Sequence, residues 1–107
     1  MKLDWTTSNL DALLLGVLRT EPAHGYEVIQ RLREASGGEF DLPEGTVYPS
    51  LHRLEKAGVL RSSWDTVGGR RRRVYEMTPS GASALQTVRR AWNRYSFSVS
   101  AVLGSGA

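Results

Sequence analysis

Apolar residues along this chain fall first at helical spacing, then at strand spacing, then at helical spacing again. Leu10, Leu13, Leu14, Val17 and Leu18 lie at i, i+3, i+4, i+7 and i+8, one stripe of a helix ending near Arg19. Thr7, Ser8 and Asn9 offer N-caps to it, and Glu21-Pro22 breaks it. A second helix is expected from about His24 to Ala35, burying Tyr26, Ile29 and Leu32, with Gly37-Gly38 as its stop. A third opens at Pro43 and turns Val47, Leu51 and Leu54 inward before Gly58 ends it. Two strand-like segments follow, about 59–65 and 71–78, joined through Gly68-Gly69. In the second, Arg73, Tyr75 and Met77 share a face, and Tyr75 and Met77 are expected to pack on the helices. Trp64 is expected to pack at the hairpin base.

Thr78-Pro79 is a good helix start, with Thr78 as N-cap and Pro79 in the first helical position. From there Leu85, Val88, Trp92, Tyr95, Val99 and Val102 repeat at alternating steps of three and four, a heptad seam. A helix of about 24 residues is about 36 Å long, more than a three-helix core can cover. Part of the seam therefore needs another partner, and a second copy of the chain is the simplest candidate. The pattern predicts a mainly α fold with a small β-hairpin. Residues 1–78 read as one folded unit, 79–103 as a dimerisation helix and 104–107 as a flexible tail.

Charge sharpens this outline. The net charge is only +3 over 107 residues. Residues 1–44 carry four basic against eight acidic side chains, and residues 45–107 carry ten against three. A basic half on a nearly balanced chain suits a polyanion-facing surface, although an arginine surface kept for solubility has the same composition. The chain has no Cys, which excludes disulfides, thiolate metal sites and cysteine nucleophiles. No apolar run approaches a membrane span, and Asp4 and Trp5 interrupt any signal-peptide pattern, so the expected compartment is the cytoplasm. No nucleophile elbow, phosphate loop or paired-carboxylate spacing appears, so no catalytic residue, cofactor or enzymatic reaction is expected.

The third helix keeps Thr46, Pro49, His52, Arg53 and Lys56 on its polar side and runs into a hairpin that carries Arg70, Arg71, Arg72 and Arg73. A polar helix beside a cationic wing fits duplex DNA: the helix in the major groove, the wing on the flanking phosphates. Thr46, Tyr48, Pro49, His52 and Arg53 are the candidate contacts from the helix. Hydroxyls serve phosphates, and Arg can grip guanine through two hydrogen bonds. Four crowded like charges on a hairpin make sense if a polyanion relieves them. Alternation turns Arg71 and Arg73 to one face and Arg70 and Arg72 to the other.

Four motifs, H-G-Y-E at 24–27, G-T-V-Y-P-S-L at 45–51, R-L-E-K-A-G-V-L at 53–60 and R-V-Y-E-M-T-P-S-G at 73–81, resemble the PadR family of transcriptional regulators in order and spacing. The short C-terminus is similar to that of its small subfamily, which includes drug-responsive repressors. His52 departs from the Lys the family often has there. The resemblance implies a winged helix-turn-helix fold with a C-terminal dimerisation helix. It also implies a homodimer on a palindromic operator, and repression released by an effector.

Members similar to this one hold flat aromatic ligands between tryptophans of the paired last helices, and Trp92 stands at the matching place. The resemblance thus implies an aromatic effector at Trp92, with Trp5 as a second candidate, and a dimer interface of Leu85, Val88, Trp92, Tyr95 and Val99. Trp92 serves equally as an interface residue that binds nothing. His24 and His52 each precede a Glu by three residues (Glu27 and Glu55), a spacing that offers two ligands to a divalent metal. Two are too few for a tight site; His24 fits the start of the second helix, and Glu27 and Glu55 fit surface or structural ion pairs. A metal-responsive repressor of the same fold, and a protein-interaction module that does not bind DNA, are the alternative readings.

Overall fold

The computed structural model describes residues 8–104. In chain order these form α1 (Ser8–Val17), β1 (Ala23–His24), α2 (Gly25–Ala35), α3 (Glu44–Lys56), β2 (Leu60–Val67), β3 (Arg70–Met77) and α4 (Pro79–Leu103). One core forms from Leu14, Leu15 and Leu18 of α1 and its end, Val28 and Ile29 of α2, and Val47, Leu51 and Leu54 of α3. Leu15 and Val28 lie outside the stripes expected from the sequence, and Leu10, Leu13 and Val17 of the α1 stripe are only partly buried. Leu60, Tyr75 and Leu85 close it from the hairpin and α4. Leu85 shows that the first turns of α4 belong to this core.

α2 differs from the expectation in its phase. The buried face is Gly25, Val28, Ile29 and Leu32, while Tyr26 is 49% exposed. With Val28 rather than Tyr26 in the stripe, its centre rotates by about 50° away from Tyr26. His24 belongs to the cap rather than to the helix. The Glu27 N–H donates to His24 Nδ1 and the His24 N–H donates to Glu27 Oε1, each at 3.3 Å, a reciprocal capping box. The same residue pairs with β3, since Ala23 faces Tyr75 and His24 faces Val74 in antiparallel register. This two-residue strand, too short to show a period, makes the sheet three-stranded in the order β1-β3-β2. α1 ends at Val17, two residues before Arg19.

The hairpin registers Leu60 with Met77 and Val67 with Arg70. Its two-residue turn, Gly68-Gly69, has φ of 59° and 77°, the doubly positive conformation in which the twist of the turn matches that of the strands. Thr78 then caps α4. Its Oγ1 accepts from the Gly81 N–H at 3.1 Å and donates to the Gly58 carbonyl at 2.6 Å. A Cβ on Gly81 would lie 2.1 Å from the Val59 carbonyl oxygen, so α4 sits against the α3–β2 corner at a distance only glycine allows. This contact joins two of the sequence motifs: T-P-S-G docks on A-G-V-L.

Beyond Leu85 no residue of α4 is buried. The helix is about 37 Å long at 1.5 Å per residue. The radius of gyration is 15.1 Å, against about 13 Å for a compact chain of this length, and the longest extent is 51 Å. α4 therefore leaves the core as an arm.

Candidate nucleic-acid interface

α3 divides cleanly into two sides. Val47, Ser50, Leu51 and Leu54 are buried, and the Ser50 hydroxyl is satisfied by donating to the Thr46 carbonyl at 3.0 Å. Gly45, Thr46, Pro49, His52, Arg53 and Lys56 are exposed on the opposite side. Pro49 stands in the second turn rather than the first, and the helical bond it cannot make would have gone to the Gly45 carbonyl, on the exposed side where water can replace it.

Tyr48 sits at the edge between the two sides, half-buried. Its ring lies on Gly25, where a Cβ would come within 2.5 Å of Cε1. The glycine of H-G-Y-E thus makes room for the tyrosine of G-T-V-Y, and neither motif alone shows the contact. His52 is exposed but its ring lies 6.4 Å from that of Tyr75. Burial, the Glu55 carboxylate and Tyr48 raise the Tyr75 pKa above its ordinary value, and Arg73 opposes them.

Arg53 forms a close ion pair with Asp11 of α1, its side chain about half exposed. That partner lies 42 positions earlier and no sequence period points to it.

The four wing arginines are not equivalent. Arg73 is turned toward α3: its Nε donates to Ser62 Oγ at 2.8 Å, and Ser62 Oγ donates to Glu55 Oε2 at 2.5 Å. Arg73 Nη2 is also 3.5 Å from Glu55 Oε2. Arg71 reaches the Trp64 ring, with its guanidinium carbon 5.1 Å from the centroid, and Arg73 does so at 5.4 Å. Trp64 is 55% exposed, so it does not pack into the hairpin base as expected. Its face of the sheet has by then run out beyond the reach of the helices. Among the described residues no carboxylate pairs with Arg70, Arg71 or Arg72.

The candidate metal ligands have other engagements. His24 and Glu27 cap α2, and Glu27 also lies 3.7 Å from Arg31. Glu55 holds Ser62 and Arg73. Among the described residues no three His, Asp or Glu side chains gather as a metal site.

Along α4, Leu85, expected on the dimer seam, is buried in the chain's own core. Val88 and Val99 are partly buried, Trp92 and Tyr95 about half exposed, with their rings 6.2 Å apart. Val102 and Leu103 are almost wholly exposed. A cavity of about 340 Å³ opens between α1 and α4, lined by Leu13, Phe40, Leu85, Val88, Arg89 and Trp92 among others. Phe40 enters it from the α2–α3 loop, which the sequence reading did not anticipate. Trp5 lies outside the described residues. No helix among the described residues is long and apolar enough to cross a membrane.

Three helices, a hairpin wing against the third and an extended fourth helix define a winged helix-turn-helix regulator. The chain belongs to the transcriptional regulator PadR-like family, whose pattern matches residues 14–87. It is 49% identical over 68 residues to Transcriptional regulator Rv3488 of Mycobacterium tuberculosis, a match spanning 64% of this chain and 61% of that protein. A PadR family transcription regulator from Clostridium difficile superposes with a TM-score of 0.80 at 30% identity, covering 89% of this chain and 98% of the other. One from Eggerthella lenta gives 0.78 at 31%, covering 92% and 85%. The family's members are transcriptional regulators rather than enzymes, and so is this chain.

Proposed function

We propose that this regulator is a homodimeric repressor that acts in the cytoplasm, binds a palindromic operator and is released by a flat aromatic effector. The observation that carries the reading is the exposed polar side of α3 lying beside a wing whose Arg70, Arg71 and Arg72 have no acidic partner among the described residues. Thr46, Pro49 and His52 face outward for the major groove, with Tyr48 at the edge. Arg53 joins them when DNA draws it from Asp11. Arg70, Arg71 and Arg72 of the wing meet phosphates, which position the protein without reading sequence. Two α3 helices, carried by a dimer, enter successive major grooves about 34 Å apart.

The distal seam of α4 supports pairing with a second copy: Val88, Trp92, Tyr95 and Val99 follow one stripe, and the helix outruns its own core. The apolar cavity beside Trp92 supports an aromatic effector there, stacked on indole. Such a ligand releases DNA only if it binds the free and operator-bound states with different affinity.

A mobility-shift titration with the chain's own upstream DNA tests the reading. Sub-micromolar, sequence-preferring binding is expected, falling by about 10³–10⁵-fold between about 50 and 200 mM salt if about six to ten phosphates are neutralised. No binding at low salt contradicts it, and would favour the protein-interaction module. Quenching of tryptophan emission by flat dyes tests the effector separately.

A further inference from the structure

Trp64 is a large apolar side chain left 55% exposed on a small hairpin, between two arginines. Its position follows from register. Trp64 pairs with Arg73, Ser62 with Tyr75 and Thr66 with Arg71, so all six residues share one face of the sheet. At its inner end that face is buried under the helices at Tyr75. Further out it carries the Trp64 indole and then Arg71. A continuous series of contacts results. Glu55 of α3 holds Ser62 and Arg73, Arg73 lies over the indole, and the indole holds Arg71.

Exposed arginine side chains explore many rotamers, and ordering one on a phosphate costs entropy. Packing the guanidinium on an aromatic face restricts that search while leaving the N–H edge free, because the cation is attracted to the ring's face and its donors lie in its own plane. Arg73 is already committed to Ser62 and Glu55, which makes it a strut rather than a phosphate ligand.

We propose that Trp64 is a positioning residue of the DNA interface: with Arg73 as its fixed backing, the indole presents the Arg71 guanidinium edge-on to a backbone phosphate beside the groove that α3 enters. This rests on the DNA-binding reading above. It assigns to an uncharged residue a share of the affinity for a polyanion.

A double-mutant cycle measured by DNA affinity tests it, using the full chain and its upstream duplex. Arg71→Ala is expected to weaken binding about tenfold and to make the salt dependence shallower by about one ion per subunit. Trp64→Ala is expected to weaken it about fivefold, although it removes no charge and the thermal unfolding midpoint stays within a few degrees of the parent's. The double variant is expected to bind like Arg71→Ala alone, within about twofold, because the indole has nothing left to position. Trp64→Phe should recover part of the loss, since a smaller ring still stacks. Losses that add in the double variant, or Trp64→Ala binding like the parent, overturn the proposal while leaving DNA binding intact. A parent that binds no duplex overturns both readings.

Discussion

Two surfaces of this subunit lie outside its core, and they differ in kind. The face made by α3 and the wing is polar and cationic, with Thr46, His52 and Arg53 beside Arg70, Arg71 and Arg72. The distal half of α4 carries Trp92, Tyr95, Val99, Val102 and Leu103 at heptad-like spacing. Among the described residues the first leaves Arg70, Arg71 and Arg72 without an acidic partner, and the second leaves Val102 and Leu103 almost wholly exposed. Charge is relieved by a polyanion, and apolar area by more apolar area, so the contrast supports the two different partners proposed. α4 contains the same contrast within itself. Gly81 and Leu85 pack on the core, whereas the same period continued outward reaches Val102 and Leu103, which are almost wholly exposed.

The sharpest way to break the comparison is to make the apolar surface behave like the polar one. Val99→Asp with Val102→Asp places carboxylates along the proposed seam. The dimer should dissociate in sedimentation velocity runs, and operator affinity should fall by about 10²–10⁴-fold as the avidity of two linked sites is lost. Unfolding of the subunit should change little, because neither valine belongs to the core.

Leu85→Ala tests the inner half of the same helix and should do the reverse. The subunit is expected to lose about 2–5 kcal/mol of stability, read from the denaturant midpoint, as a buried leucine leaves a cavity. If instead the loss appeared only as weaker dimerisation, Leu85 would belong to the seam after all.

On the cationic face, Arg70→Ala with Arg72→Ala should lower the salt slope of DNA binding by about 1.8 per subunit and weaken all sequences alike. Unchanged binding would place the DNA contacts elsewhere.

The smallest effect lies between the two surfaces, at Tyr75. Its pKa is raised chiefly by burial and next by Glu55, so the folded state holds the phenol proton more tightly than the unfolded state does. The stability this provides is complete below the unfolded value of about 10 and is lost as pH rises through the folded value. Alkaline titration of stability should therefore show a decline above about pH 10 that is shallower in Tyr75→Phe.

Much of this could be read from sequence because it depends on period and on local chemistry. The stripes of α1, α3 and α4, the Gly68-Gly69 turn and the Thr78-Pro79 start each need only residues within a turn or two of one another. What escaped depends on partners far along the chain. Arg53 has the right side of α3 for guanine, yet Asp11 of α1 holds it. Trp64 has the composition of a packing residue, yet the sheet carries it past the helices. Glu55 reads from sequence as a member of an ion pair, but that it holds Ser62 and Arg73 depends on the hairpin folding back on α3. Gly25 and Gly81 mark close approaches to Tyr48 and the Val59 carbonyl, which only the assembled fold displays. The candidate DNA face was visible as a set of residues, but the engagement of Arg73 with Ser62 and Glu55, and of Arg53 with Asp11, was not.

The most direct test of the account is stoichiometry: sedimentation velocity of the full chain with a fluorescent duplex of its own upstream sequence. Two chains on each duplex, bound together without a populated single-chain complex, is the predicted result. A duplex that carries one chain at saturation, or none, contradicts it.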